Sequence, residues 1–166
     1  MDKKLAEVMM AMTAYDRPDT PRIQHFVKVH DLAATIGVME GLDESTQRIL
    51  EVASILHDIG IHPAEAKYGN CHGPHQEELG PEEARTLLNR LGGWDEPLID
   101  RVCYLIGHHH TYTNIDGIDY QILVEADFLV NIFEDNLGLE AAKHVRETIF
   151  RTKSGIQLLN DMFGLD

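Results

Sequence analysis

The sequence predicts an all-α fold of about seven to eight helices, and three observations carry that expectation. Apolar residues recur at three- and four-residue spacings along the whole chain. No segment alternates with period two over strand length. The breaks between periodic segments carry helix start and stop residues.

Leu5, Val8, Met9 and Met12 mark a first helix that ends near Tyr15. Thr20-Pro21 opens the second, a capping hydroxyl followed by proline in the first turn, and this helix runs to about Gly37. A third begins near Asp43, carries Ile49, Val52, Ala53 and Leu56, and stops at Gly60, where glycine lets the backbone turn. His62 to Leu79 is rich in Gly, Pro, Asn and His and reads as a loop or lid with at most one helical turn. Gly80-Pro81-Glu82-Glu83 then starts a helix with acidic residues at its positive end, closing at Gly92-Gly93. Asp95 begins another that runs toward His108, Asp119 to about Asp135 is the next, and Leu139–Phe150 and Ser154–Phe163 finish the chain. No repeat, low-complexity tract or linker divides the sequence, so residues 1–166 are expected to form a single domain.

Charge narrows the partners. Fourteen basic residues against 28 acidic ones give a net charge of −14. An acidic surface repels a phosphate backbone, which argues against a nucleic-acid polymer as partner. A phosphorylated small molecule or nucleotide stays compatible, because a bound metal makes a pocket locally positive. No apolar run approaches the roughly 18 residues of a membrane span. The stretch Leu5 to Met12 follows Lys3 and Lys4 in the manner of a secretory signal, but it is short, Glu7 interrupts it and no cleavage site follows. Cys71 and Cys103 lie too far apart for a zinc knuckle, so free thiols in a reducing cytoplasm are expected.

Ten histidines raise the question of whether they converge. His25 heads the stripe His25, Val29, Leu32, Ile36, an apolar face. His57 shares a face with Leu50 and Ala53, and Asp58 follows it at a helix C-terminus, where a carboxylate is unfavourable unless a cation compensates it. Asp127 stands among Leu123, Ala126, Phe128, Leu129 and Val130 in the most apolar helix, and a buried carboxylate there needs an arginine or a metal. Three helices thus place His or Asp on faces otherwise apolar. A mixed imidazole–carboxylate set of this kind suits Fe, Mn, Co, Ni, Zn or Mg with positions open to water.

The ordered set His25 … His57-Asp58 … Asp127 occurs within Arg22-Ile23-Gln24-His25-Phe26-Val27-Lys28-Val29, Ile55-Leu56-His57-Asp58-Ile59-Gly60 and Glu125-Ala126-Asp127. It resembles the HD superfamily of metal-dependent phosphohydrolases, from about Arg22 to Phe133. The resemblance implies an HD-type helical bundle, metal ligation by His25, His57, Asp58 and Asp127, and hydrolysis of phosphate mono- or diesters. In two-metal relatives, histidines from the region of His108-His109-His110 hold a second ion, with His72 and His75 available to complete it. Binding of substrate phosphate by His108 and His109 is the alternative. Gln76 and Glu77 are candidate supporting groups, while His30, His62 and His144 read as structural or surface residues.

The expected reaction uses a water activated on the ion, with Asp58 both ligating and orienting, and His108 or His109 stabilising the phosphate or protonating the leaving oxygen. Lys28, Lys67, Arg85 and Arg101 are the candidate phosphate anchors. Two other classes compete: a nucleotide-binding regulatory module without turnover, and a di-iron oxygenase of the same superfamily, which iron content and colour would reveal. A homo-oligomer is compatible with all three.

Overall fold

The computed structural model describes residues 1–165, and every regular element among them is helical. Among the described residues nine helices follow one another: α1 (Lys3–Tyr15), α2 (Thr20–Met39), α3 (Glu44–Leu56), α4 (Ile61–Tyr68), α5 (Gly73–Leu91), α6 (Glu96–Ile106), α7 (Ile118–Glu134), α8 (Gly138–Thr148) and α9 (Lys153–Phe163). None is both long and apolar enough to cross a membrane.

The start signals act largely where the sequence puts them, through side chains that satisfy the free N–H groups of a first turn. Asp43 accepts from the backbone N–H groups of Ser45 and Thr46, both at 3.0 Å, and so caps α3. At α2 the cap is Asp19, whose carboxylate accepts from the Arg22 N–H, rather than the Thr20 hydroxyl; Thr20 and Pro21 form the first turn.

The architecture turns on α7. From Asp119 to Ala126 every side chain of this helix is buried, and Asp127, Leu129, Val130 and Ile132 follow. A helix apolar nearly all round must be covered on every side. Helices α2 and α3 pack on it and on each other, α8 and α9 cover its other flank, and α6 leans on α3 with α5 beyond. Leu50, Ile55, Leu56, Leu105, Ile122 and Leu123, all fully buried, fill the centre. Each contributes about 1.5–3 kcal/mol by leaving water.

Two expectations fail in the middle of the chain. The segment from His62 to Leu79 is not a loop with a single helical turn: it contains most of α4 and the first turns of α5. Pro81 does not start a helix but lies inside α5, which begins eight residues earlier at Gly73-Pro74. An interior proline forfeits a helical hydrogen bond at a cost of about 3 kcal/mol, so tertiary contacts must offset it. Pro81 is seated against Gly107, where an added Cβ would come within 3.2 Å of its ring, and its carbonyl accepts from the Cys103 thiol at 3.2 Å.

Gly60 is needed for room, not for backbone freedom. Its φ of −75° suits any residue. A Cβ there would stand 2.6 Å from the Gln76 carbonyl oxygen and 2.9 Å from the Gly80 nitrogen. The turn carrying Asp58 and the start of α5 are therefore in direct backbone contact.

Candidate metal centre

The helix trio α2, α3 and α7 delivers the first four candidate residues to one point. His25 comes from the second turn of α2, His57 is the C-cap of α3, Asp58 follows it, and Asp127 comes from the middle of α7. His25 Nε2 lies 3.2 Å from His57 Nε2, 3.2 Å from Asp127 Oδ1 and 3.4 Å from Asp58 Oδ2. His57 Nε2 is 3.5 Å from the same oxygens of Asp58 and Asp127. An ion with ligands about 2.1 Å away sets neighbouring donors roughly 3.0–3.4 Å apart, so the spacing fits a common ligand sphere.

The chemistry of these atoms is more telling than their spacing. His57 Nδ1 donates to the Ser54 carbonyl at 2.8 Å, and His109 Nδ1 donates to the Ile106 carbonyl at 2.8 Å. His25 Nδ1 donates to Glu134 Oε2 at 2.7 Å. Each ring thus has its one hydrogen committed outward, and its Nε2 presents a lone pair. Those lone pairs face carboxylates, which only accept. His109 Nε2 is buried without a hydrogen-bond partner, 3.4 Å from Asp58 Oδ1. Acceptors face acceptors unless a cation stands between them, and the residues present fit a divalent metal.

Protons are the other cation the cluster attracts. Burial works against charge on His25, but the hydrogen bond to Asp127 and the charge of Asp58 outweigh it and raise its pKa to about 9. Burial likewise acts to raise the Asp58 carboxyl, yet His57, His109 and His25 hold it well below the usual range. Burial disfavours a charged His109, and the adjacent Asp58 carboxylate overrides that too, raising its pKa.

A second group of donors shares Asp58. Ligand atoms of Asp58, His109 and His110 lie within 4.8 Å of one another. Burial and the neighbouring His109 push the His110 pKa down to about 4, so this ring is neutral and able to ligate near neutral pH. Its placement corrects the sequence reading, which favoured His108. The His108 ring stacks on Tyr104, with centroids 4.2 Å apart, and its Nδ1 bonds the Tyr104 carbonyl. His75 is also elsewhere, stacked on Tyr68 and bonded to the Asn70 side chain. Neither reaches the cluster.

The donors open onto a cleft of about 680 Å³ lined by Arg22, Lys28, Asp58, Gln76, His110, Asp127, Asn131 and Glu134, among others. Of the four basic residues singled out in the sequence, only Lys28 lines it. Lys67 pairs with Glu78, Arg85 with Glu96 and Asp100, and Arg101 with Asp116 and Asp119. Arg22 also lines the cleft, held by Glu65 and Asp19. Glu134 and Asn131 support two of the candidate donors: the first accepts from His25 Nδ1, and the second donates to Asp127 Oδ1 at 2.9 Å. Glu77 steadies the histidine turn by accepting from the His110 N–H at 2.9 Å and from the Thr111 hydroxyl at 3.0 Å.

Partners that orient a ligating histidine are worth about 10–100-fold in metal affinity. Glu134→Ala should weaken metal binding by that factor without loss of helical content, measured by competition with a chelator. Unchanged affinity would show that packing alone orients His25.

Comparison with known proteins decides the family. The family model described as HD domain matches residues 22–149. The chain belongs to the HD domain family. No functionally curated protein matches the HD chain significantly. Among solved structures it is similar to a predicted HD superfamily hydrolase from an uncultured Thermotogales bacterium, at 28% identity and a TM-score of 0.69, over 96% of this chain and 85% of that one. HD membership places the protein in a superfamily of metal-dependent hydrolases.

Proposed function

We propose that the protein hydrolyses a phosphate mono- or diester of a small molecule or nucleotide by way of a metal-activated water. The observation that carries this reading is the convergence of three Nε2 lone pairs on two carboxylates beside an open cleft. His25, His57, Asp58 and Asp127 would hold a divalent ion, with Fe, Mn, Co, Ni, Zn and Mg all compatible with the donor set. Such an ion supplies a Lewis acid for a phosphoryl oxygen and a bound water of lowered pKa.

The chain's own residues account for the rest. Asp58 turns Oδ2 toward His25 and His57 and Oδ1 toward His109, an arrangement that favours a second ion shared through this carboxylate and completed by His109 and His110. Asn131 and Glu134 keep Asp127 and His25 from rotating, which preserves the spacing of the donors. Lys28 and Arg22 line the cleft and are the lysine and arginine available to contact a phosphate that the bound ion admits. A small phosphorylated substrate in a cytoplasmic setting fits the strongly acidic chain better than a polymer does.

Protein loaded with Mn²⁺ is expected to turn over at least one member of a panel of nucleotides, sugar phosphates and nitrophenyl phosphate esters, and a chelator should abolish that turnover. His109→Ala should lose the second ion, keep the first, and cut turnover about 100-fold, on the scale of removing one charge-stabilising group. His108→Ala should stay near wild type. A metal-loaded protein inert toward the whole panel would sink the hydrolase reading, and full turnover in His109→Ala would sink the role of that residue.

A further inference from the structure

One polar group in the cleft wall has no partner and is not among the metal donors. Gln76 is only 6% exposed and lines the cleft. Its Nε2 donates to the Cys71 carbonyl at 2.8 Å. A carbonyl only accepts, so the amide cannot be turned over, and Oε1 is fixed as an acceptor. That Oε1 is buried and meets no donor from the protein.

The acceptor is also held rigidly. The Gln76 backbone abuts Gly60, two residues beyond Asp58, so closely that no side chain fits at Gly60. The helix carrying the amide and the turn carrying the central carboxylate are therefore fixed relative to each other. A buried, immobile, unpaired acceptor beside a reaction centre is costly unless something that enters the site donates to it. Water can serve while the cleft is empty. A ligand that fills the cleft displaces that water and must bring its own donor to avoid losing the bond.

We propose that Gln76 determines specificity: its Oε1 accepts a hydrogen bond from an O–H or N–H on the non-phosphate portion of the substrate. The substrate is then a phosphate ester of a hydroxyl- or amine-bearing compound, such as a sugar or a nucleoside, and not of a plain hydrocarbon alcohol. The inference rests on the phosphoester reading and adds the chemical class of the esterified group. Sites built to bond a substrate donor discriminate strongly against analogues that lack it, because the analogue leaves the protein group unpaired.

Phosphonates bind without being hydrolysed and so separate recognition from turnover. Calorimetric titration of the Mn²⁺-loaded protein would compare propylphosphonate and phenylphosphonate with dihydroxypropylphosphonate and the phosphonate isosteres of a ribose phosphate and of adenosine monophosphate. The wild-type protein should bind the best donor-bearing member at least about tenfold more tightly than propylphosphonate, the scale of one net hydrogen bond. Gln76→Met should lose about that factor for the same compound and bind propylphosphonate as before, with helical content and Mn²⁺ content unchanged. The ranking in the wild-type protein tests the inference even if the variant fails to fold. Tightest binding of propyl- or phenylphosphonate would overturn it, as would a variant that binds the whole series like wild type. An equal loss for every member would also overturn it, assigning Gln76 to the upkeep of the site and not to specificity. If no phosphonate binds to protein that elemental analysis shows to be loaded, the phosphoester reading itself falls.

Discussion

Replacing Asp58 with alanine is expected to lower bound metal to near background and to reduce turnover by about 1000-fold or more, while the helical spectrum persists. Asp58 is the residue both donor groups share: Oδ2 faces His25 and His57, and Oδ1 faces His109. Its loss leaves the first group with one carboxylate and the second with none. Metal polarisation of a phosphoryl oxygen is worth several kcal/mol of transition-state stabilisation, and about 4 kcal/mol corresponds to about a thousandfold in rate. The fold should survive, because Asp58 lies in a turn and the core beneath it is apolar. Metal-to-protein ratio and turnover, measured on one preparation, check this. Full occupancy of both ions in Asp58→Ala would remove the carboxylate from the site.

Glu125→Ala should have the opposite profile: a large loss of stability with the metal retained. Glu125 is two residues from Asp127 on α7, about 200° around the helix axis, and its side chain is fully buried away from the metal donors. Its Oε1 accepts from the Arg151 N–H, from the Thr152 N–H at 2.9 Å and from Gln121 Nε2 at 2.8 Å, and its Oε2 accepts from the Thr152 hydroxyl. One carboxylate thereby fastens the turn between α8 and α9 to the central helix. Alanine would strand several buried donors at once, a loss of about 4 kcal/mol, which for a chain of this size lowers Tm by roughly 8–16 °C. Thermal melting of the metal-loaded variant checks the figure. A Tm within a degree or two of wild type would mean that water replaces the carboxylate.

That contrast shows what the sequence can and cannot reveal. Glu125 and Asp127 look alike in the sequence, two acids in an apolar helix, and only the third dimension separates a clamp from a candidate ligand. His25, His57 and Asp127 were legible because regular helices put them on faces that periodicity identifies as buried. Legibility ends where the helix ends. Beyond Gly107 the chain leaves α6 and the angular register stops applying, so His110 and not His108 joins His109 at the cluster. Pro81 misled for a related reason: proline signals a helix start locally, and the contacts with Gly107 and Cys103 that tolerate it inside α5 are remote in sequence. Arg22, Asn131 and Glu134 left a fainter trace, one turn from His25, one turn from Asp127 and two turns from Asp127. Polar residues at such spacings are ordinarily a solvated face, and the partner across the cleft is what distinguishes them.

The lysine and the arginine of the cleft are already spoken for, Lys28 by Glu134 and Arg22 by Glu65 and Asp19. With Asp58, Asp127, Glu134 and Asp135 also in its lining, the bare cleft offers an anion no net attraction, inside a chain whose charge is −14. Under the proposed phosphoester reading, loading is expected to be ordered, the ion arriving before the phosphate because it reverses the local sign of the potential. On that reading, a molecule stripped of metal is not a silent sink that would sequester phosphate esters, but one expected to turn them away.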